Sequence, residues 1–195
     1  MIQLISIIAG LFNVVAGSTY LRQVVKNEST PNPTTWIIWT IVTVLNSATY
    51  FSVVSGNPWI ALSSAVTAIM VFLIFVTSLL NGKFTKLNNV DIISLVLAVG
   101  IGIFWQMSGN ALVSNICLQA VFIISFYPTI HGLRTGVSKE RPFPWLMGCC
   151  SYVLQILNIL LSQVTIFAIV FPVIQLIGQG AIAILAHKSS SHIVH

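Results

Sequence analysis

Seven long apolar stretches dominate the sequence and restrict what it can fold into. They lie at residues 2–22, 34–54, 58–80, 90–107, 111–132, 143–161 and 164–187. A helix needs about 20 mostly apolar residues to cross the hydrocarbon core of a bilayer, and short polar or turn-rich breaks separate these stretches. Only 6% of the residues are charged, against about 25% in soluble domains. The sequence therefore predicts an all-α membrane protein with seven transmembrane helices.

Basic residues occur only in alternate loops and in the carboxyl tail. They are Arg22, Lys26, Lys83, Lys86, Arg134, Lys139, Arg141 and Lys188. Lys and Arg concentrate in cytoplasmic loops, so we expect the amino terminus outside and the carboxyl terminus in the cytoplasm, in a cell inner or plasma membrane. Trp36 and Trp145 begin helices on the inner side, and Trp59 and Trp105 lie at outer ends. Because Trp is enriched at both interfaces, these four are predicted to form an aromatic belt.

An internal repeat appears when the sequence is shifted against itself by 112 positions. The shift pairs Leu21 with Leu133, Arg22 with Arg134, Val25 with Val137, Glu28 with Glu140, Leu45 with Leu157, and Asn46 with Asn158. We interpret residues 1–89 and 111–187 as two three-helix repeats, 90–110 as a linking helix and 188–195 as a cytoplasmic tail. The linking helix gives the repeats the same orientation. Parallel repeats of this kind are one way in which transporters are built.

Several other classes of protein are disfavoured. The net charge of +5 is spread over short loops, whereas nucleic-acid binding needs clustered bases. Cys117, Cys149 and Cys150 lie inside apolar runs without CxxC spacing, so no disulfide, metal site or cofactor is predicted. No nucleophile with a base, and no pair of carboxylates, falls within the spans. An enzyme is therefore not expected.

Polar side chains within the spans are the candidates for binding a solute. Trp39, Thr43, Asn46 and Tyr50 share one face of the second helix by their spacing, and the sixth helix repeats the stripe with Ser151 or Tyr152, Gln155, Asn158 and Ser162. Asn115 and Gln119, and Gln175 and Gln179, are further pairs four residues apart. The predicted solute-binding residues are Asn46, Asn158, Gln155, Thr43, Trp39, Tyr152, Gln119, Gln175 and Asn13. The alternative for each is a hydrogen bond between helices, which contributes about 0.6 kcal/mol on average.

The 3+1+3 arrangement, with its basic first loop leading to a Pro-marked second helix, resembles the SWEET and PQ-loop transporter superfamily, which includes the PnuC vitamin transporters. Where relatives carry a Pro-Gln dipeptide, this chain has STPNPTTWIIW (Ser29 to Trp39) and KERPFPW (Lys139 to Trp145). The resemblance implies a transporter with its solute site between the two halves. A receptor or sorting protein on the same scaffold is the alternative.

Acidic residues bear on how such a transporter would be driven. Glu28, Asp91 and Glu140 are the only acids, and we expect all three outside the spans on the cytoplasmic side. Ion-coupled carriers usually hold a charged group within the membrane. The sequence therefore favours a facilitative, alternating-access carrier of a small neutral polar solute, such as a sugar, a nucleoside or vitamin riboside, or an amino acid. The expected partners are this solute, bilayer lipid and a second copy of the chain, without nucleic acid.

Overall fold

The computed structural model of the chain describes residues 1–31, 33–81 and 89–191, and all regular secondary structure in these ranges is helical. The helices are α1 (Ile2–Val25), α2 (Pro33–Val53), α3 (Pro58–Asn81), α4 (Asn89–Ser108), α5 (Ala111–Thr135), α6 (Pro142–Leu160) and α7 (Val170–Ser191). A short 3₁₀ turn, Ile166–Ile169, precedes α7. The predicted spans agree with these helices to within a few residues, except that the seventh begins as the 3₁₀ turn. Lys83, Lys86, His192 and His195 lie outside the described residues.

Helix ends follow from local sequence. The helices α2, α3 and α6 each begin with a proline, which suits the first helical position because its backbone needs no N–H there. The Asn57 side chain accepts hydrogen bonds from the backbone N–H groups of Trp59 and Ile60 at 3.0 and 3.3 Å. Gly136, with a φ of 71°, closes α5 in the left-handed conformation that glycine adopts without strain.

The outer surface of the bundle is apolar. Six of the helices are long and apolar enough to cross a membrane, whereas the apolar part of α4, Ile92–Ser108, is shorter. Large apolar side chains such as Leu11, Val96, Ile123 and Ile177 are exposed, and soluble proteins rarely expose apolar patches of this extent. Many amide and hydroxyl side chains are buried instead. This distribution fits an integral membrane protein.

Two groups of three helices pack in the same manner. Within the first group, α3 contacts both α1 and α2; within the second, α7 contacts both α5 and α6. The groups meet mainly along two interfaces, α1 against α6 and α2 against α5, and α3 makes a smaller contact with α6. The remaining helix, α4, packs on α5 and to a smaller extent on α2, and so lies at the edge of the bundle.

The loops that follow α1 and α5 are joined to each other. The backbone N–H of Thr30 donates to the Lys139 carbonyl at 2.9 Å, and the Lys139 N–H donates to the Thr30 hydroxyl at 3.0 Å. The end of the bundle around this pair, where α1 and α5 finish and α2 and α6 begin, is called the basic end below. The exposed residues Arg22, Arg134 and Arg141 lie at or beside the ends of these helices.

Two expectations from the sequence need correction, and the surroundings of a third residue, Glu140, were not predicted. Trp36 and Trp145 do not form a lipid-facing belt, because they are only 6% and 5% exposed and pack inside the bundle; Trp59, at 39% exposed, does face outward. Asp91 lies within α4 and not before it. Glu140 precedes α6 as expected, yet its side chain is only 5% exposed.

Candidate solute-binding cavity

A cavity opens in the interior between helices of both groups. It is lined by residues of α1, α2, α3, α5, α6 and α7, namely Asn13, Ala16, Gly17, Tyr20, Trp36, Trp39, Thr43, Thr67, Met70, Val71, Ile74, Phe122, Phe126, Pro144, Trp145, Gly148, Tyr152, Gln175 and Gln179. The space open to the centres of water-sized molecules is about 80 Å³. One water needs roughly 10–15 Å³ of such space, so the cavity has room for several waters or for part of a small organic molecule.

Aromatic rings form the wall of the cavity toward the basic end. Tyr20 lies with its ring centroid 5.0 Å from that of Trp36 and 5.8 Å from that of Trp145. Trp39 lies 5.0 Å from Trp36, 6.0 Å from Trp145 and 5.4 Å from Phe126. These are the separations at which aromatic pairs attract each other. We call these five residues the aromatic cluster.

Two buried polar atoms on the cavity wall differ from the other polar groups there. The Trp39 Nε1 and the Tyr152 hydroxyl make no hydrogen bond of standard geometry with the described residues, although Thr67 and Gln179 lie beside Tyr152. Burying such a group without a partner costs about 1–3 kcal/mol. The two atoms are therefore ready to bond with water or a solute in the cavity.

Other polar side chains at the cavity are already bonded to protein. Asn13 donates through Nδ2 to the hydroxyls of Ser63 and Thr67 at 2.8 and 2.9 Å. The Thr43 hydroxyl donates to the Trp39 carbonyl at 2.7 Å within α2. These groups still offer acceptor oxygens, but they have less to gain from a solute than Trp39 and Tyr152.

Glu140 lies directly behind the aromatic cluster. The Tyr20 hydroxyl donates to its Oε1 at 2.8 Å, and the Trp145 Nε1 lies 3.4 Å from its Oε2 as a longer hydrogen bond. Burial raises the pKa of the Glu140 carboxyl to about 7, although hydrogen bonds from Tyr20, Trp145 and Ser29 act in the opposite direction. The burial of Glu140 was not predicted from the sequence, because a Glu between Lys139 and Arg141 is typical of a solvated loop.

A second polar group, the amide cluster, lies between α2 and α5 and does not line the cavity. It consists of Asn46, Thr49, Asn115 and Gln119, all 1–2% exposed. Asn46 Oδ1 accepts from Asn115 Nδ2 at 3.1 Å and from Gln119 Nε2 at 2.9 Å. Asn115 Nδ2 also donates to the Thr49 hydroxyl at 3.0 Å. The amide N–H groups of Asn115 and Gln119 on α5 therefore hold α5 against α2.

A third polar group follows the interface between α1 and α6. Asn158 Nδ2 donates to the Ser6 hydroxyl at 2.7 Å. Ser151 donates to the Ala9 carbonyl at 2.8 Å and lies 3.4 Å from Gln155 Nε2. Asn158 Oδ1 and Gln155 Oε1 have no hydrogen-bond partner among the described residues. Like the amide cluster, Gln155 and Asn158 are absent from the cavity wall.

The predicted solute-binding residues are thus divided between these places. The cavity brings together Asn13, Trp39, Thr43, Tyr152 and Gln175. The residues outside its wall are Asn46, Gln119, Gln155 and Asn158. Sequence reasoning missed the aromatic wall at the basic end, although Tyr20, Trp36 and Trp145 all lie close to helix ends that point to one side of the membrane.

No protein-family model, curated protein or solved structure matches the chain. The function proposed below therefore rests on the cavity and the groups that line it.

Proposed function

We propose that the chain is a membrane transporter, a facilitative carrier of a small neutral polar solute, and that the aromatic cavity is its binding site. The observation that carries the proposal is the pair of unpartnered polar atoms, Trp39 Nε1 and the Tyr152 hydroxyl, on the wall of a cavity otherwise rich in aromatic rings. Binding sites for small molecules are commonly apolar and aromatic with a few placed polar groups.

The wall favours a solute that combines a ring with hydrogen-bonding groups. Trp39 Nε1 can only donate, while the Tyr152 hydroxyl can donate or accept. A ring oxygen or a carbonyl would satisfy Trp39, and a hydroxyl would satisfy Tyr152. The neighbouring ring faces would cover the apolar side of a sugar or of a riboside base. A small amino acid would leave most of these rings uncovered, so a sugar or a riboside is the preferred class.

The packing of the helices supports alternating access. The two main interfaces between the groups, α1 with α6 and α2 with α5, are related to each other by the 112-residue shift, because each joins the first helix of one group to the second helix of the other. Parallel repeats of this kind hold their substrate between halves that rock against each other. The cavity is too small here for a whole sugar or riboside, so binding requires the halves to separate. We take the basic end as cytoplasmic on the charge rule.

Uptake by proteoliposomes tests the proposal. Purified protein is reconstituted and given labelled sugars, ribosides and amino acids, one at a time. We expect uptake of a ring-shaped solute until the internal and external concentrations are equal. Trp39→Phe keeps a ring but removes the N–H, and its uptake at low solute concentration should fall about tenfold, since 1.4 kcal/mol corresponds to a factor of ten. Trp59→Phe, at an exposed tryptophan outside the cavity, is the matched control.

Two results would contradict the proposal. Uptake that is equally reduced in the Trp39→Phe and Trp59→Phe variants would remove the cavity from the mechanism. A solute that raises the melting temperature of the protein without ever crossing the liposome membrane would indicate a receptor or sorting protein.

A further inference from the structure

Glu140 connects the two rings that close the cavity at the basic end. One carboxyl oxygen accepts from Tyr20 on α1, and the other faces Trp145 on α6. Tyr20 and Trp145 both line the cavity and are 3% and 5% exposed. The two helices belong to different groups of the bundle and pack directly against each other. If α1 and α6 separated at this end, the hydrogen bond between Tyr20 and Glu140 would break and water would reach the carboxyl.

We propose that Glu140 is a proton-operated latch of the cavity: the neutral acid fits the buried site beside Tyr20 and Trp145 and keeps the basic end closed, whereas the carboxylate, which is costly to bury, favours opening and hydration. This inference rests on the proposed function only in assigning the cavity to a transported solute. Glu140 does not touch the solute itself. It is a positioning residue that acts through the two rings.

The direction of the effect follows from where the proton binds more tightly. In the closed arrangement burial raises the Glu140 pKa to about 7, whereas a hydrated glutamate has its ordinary value near 4.5. The closed form therefore binds the proton more tightly, and its stability relative to the open form falls as the pH rises toward 7. With these two values, the ratio of open to closed protein increases about tenfold between pH 6 and pH 8.

Other titratable or charged groups surround this end of the bundle. They are Tyr20 and Arg22 on α1, Lys26 and Glu28 in the loop after it, His131 and Arg134 on α5, Lys139 and Arg141 beside Glu140, and His187 and Lys188 on α7. The Lys, Arg and His side chains among them are exposed and Glu28 is half-buried. The test must therefore distinguish Glu140 from these groups.

Chemical accessibility of the cavity wall tests the latch without any solute. Cys117, Cys149 and Cys150 are first replaced by Ser, and Thr43→Cys then places one thiol on the wall. A charged, water-soluble thiol reagent is applied to the protein in detergent from pH 6 to pH 8. The rate is divided by that of a Val137→Cys reference, whose position is 84% exposed, because thiols themselves react faster at higher pH.

The expected result is a rise of about tenfold in this rate ratio from pH 6 to pH 8 with Glu140 present. Glu140→Gln keeps a neutral side chain of the same shape, so its ratio should stay low and independent of pH. Glu140→Ala removes the bonds to both rings and should give a high ratio at every pH. A thermal unfolding measurement shows which variants remain folded.

The latch is overturned if the ratio for the protein with Glu140 does not change with pH, or if the Glu140→Gln variant keeps the same slope. The second result would assign the pH dependence to a group other than Glu140. Since no solute is present, this outcome is independent of the uptake experiment. A pH-dependent ratio that Glu140→Gln abolishes would support the latch even if no labelled solute were transported.

Discussion

The amide cluster and the aromatic cavity are both buried and both carry polar side chains, but they differ in where their hydrogen bonds go. In the amide cluster, Asn46 accepts from Asn115 and Gln119 across the interface between α2 and α5. In the cavity, Trp39 Nε1 and the Tyr152 hydroxyl make no hydrogen bond of standard geometry with the described residues; Gln119 Oε1 of the amide cluster also lacks one, but Gln119 does not line the cavity. A buried amide in a membrane helix thus indicates a helix contact when its partners are protein, and a solute site only when partners are missing beside open space.

The same difference separates the two asparagines that a shift of 112 residues pairs. Asn46 accepts two hydrogen bonds, whereas Asn158 donates one to Ser6 and leaves its oxygen unpartnered. Equivalent positions in a repeat therefore need not make equivalent contacts. Substitutions at the two asparagines, and one at Gly148 beside the cavity, test this difference between the amide cluster and the cavity.

The largest effect on stability is expected for Asn46→Ala. The change removes an acceptor shared by two donors and leaves Asn115 and Gln119 with donors to satisfy elsewhere. Unsatisfied buried groups cost about 1–3 kcal/mol each, and hydrogen bonds between membrane helices contribute up to about 1.7 kcal/mol. We expect a loss of about 2 kcal/mol, seen as a melting temperature lower by roughly 4–8 °C.

Thermal unfolding in detergent measures this change, with Val44→Ala as the control on the same helix. Val44 is 52% exposed on the outer surface, so its truncation should shift the melting temperature far less. Equal shifts for the two variants would show that the amide cluster does not stabilise the bundle.

A smaller effect, on uptake, is expected for Gly148→Ala. A methyl group on Gly148 would collide with the Gln179 side-chain amide, while one on Gly100 would have no neighbour within 4 Å. The Gln179 amide must therefore shift beside the cavity. We expect uptake at low solute concentration to fall about fivefold, a change of about 1 kcal/mol. Gly100→Ala should transport normally, and equal uptake by both variants would place the solute elsewhere.

The smallest effect is expected for Asn158→Ala, which breaks the single hydrogen bond to Ser6. An average interhelical hydrogen bond contributes about 0.6 kcal/mol, so the melting temperature should fall by about 1–3 °C. The same thermal unfolding assay compares this variant with Asn46→Ala. A loss at Asn158 as large as that at Asn46 would contradict the difference drawn between the two interfaces.

The sequence predicted the helices well because their length, apolar content and ends depend on local composition. The third helix begins at Pro58 as predicted, and the stripe from Trp39 to Tyr50 is buried as predicted. The spacing of residues along one helix does not show which residue of a neighbouring helix each side chain contacts. Asn46 and Tyr152 both lie on buried faces, but only packing decides that the first meets Asn115 while the second meets a cavity.

Residues near helix ends were the hardest to place from sequence. Trp36 and Trp145 have the positions of interfacial tryptophans, and Glu140 has charged neighbours on both sides. The joined loops at Thr30 and Lys139 lie at the end of the bundle where Trp36 and Trp145 enter the aromatic cluster and Glu140 lies behind it. Their burial depends on the contact between two loops that are distant in sequence. Hydrophobic periodicity and charge pattern do not predict such a contact.

The most direct test of the account is to measure uptake by the Trp39→Phe and Asn46→Ala proteins side by side, at equal amounts of folded protein in liposomes. We predict that Trp39→Phe lowers uptake about tenfold and that Asn46→Ala, although less stable, transports as the unaltered protein does. Lost uptake in Asn46→Ala with normal uptake in Trp39→Phe would contradict the account and place the solute at the amide cluster.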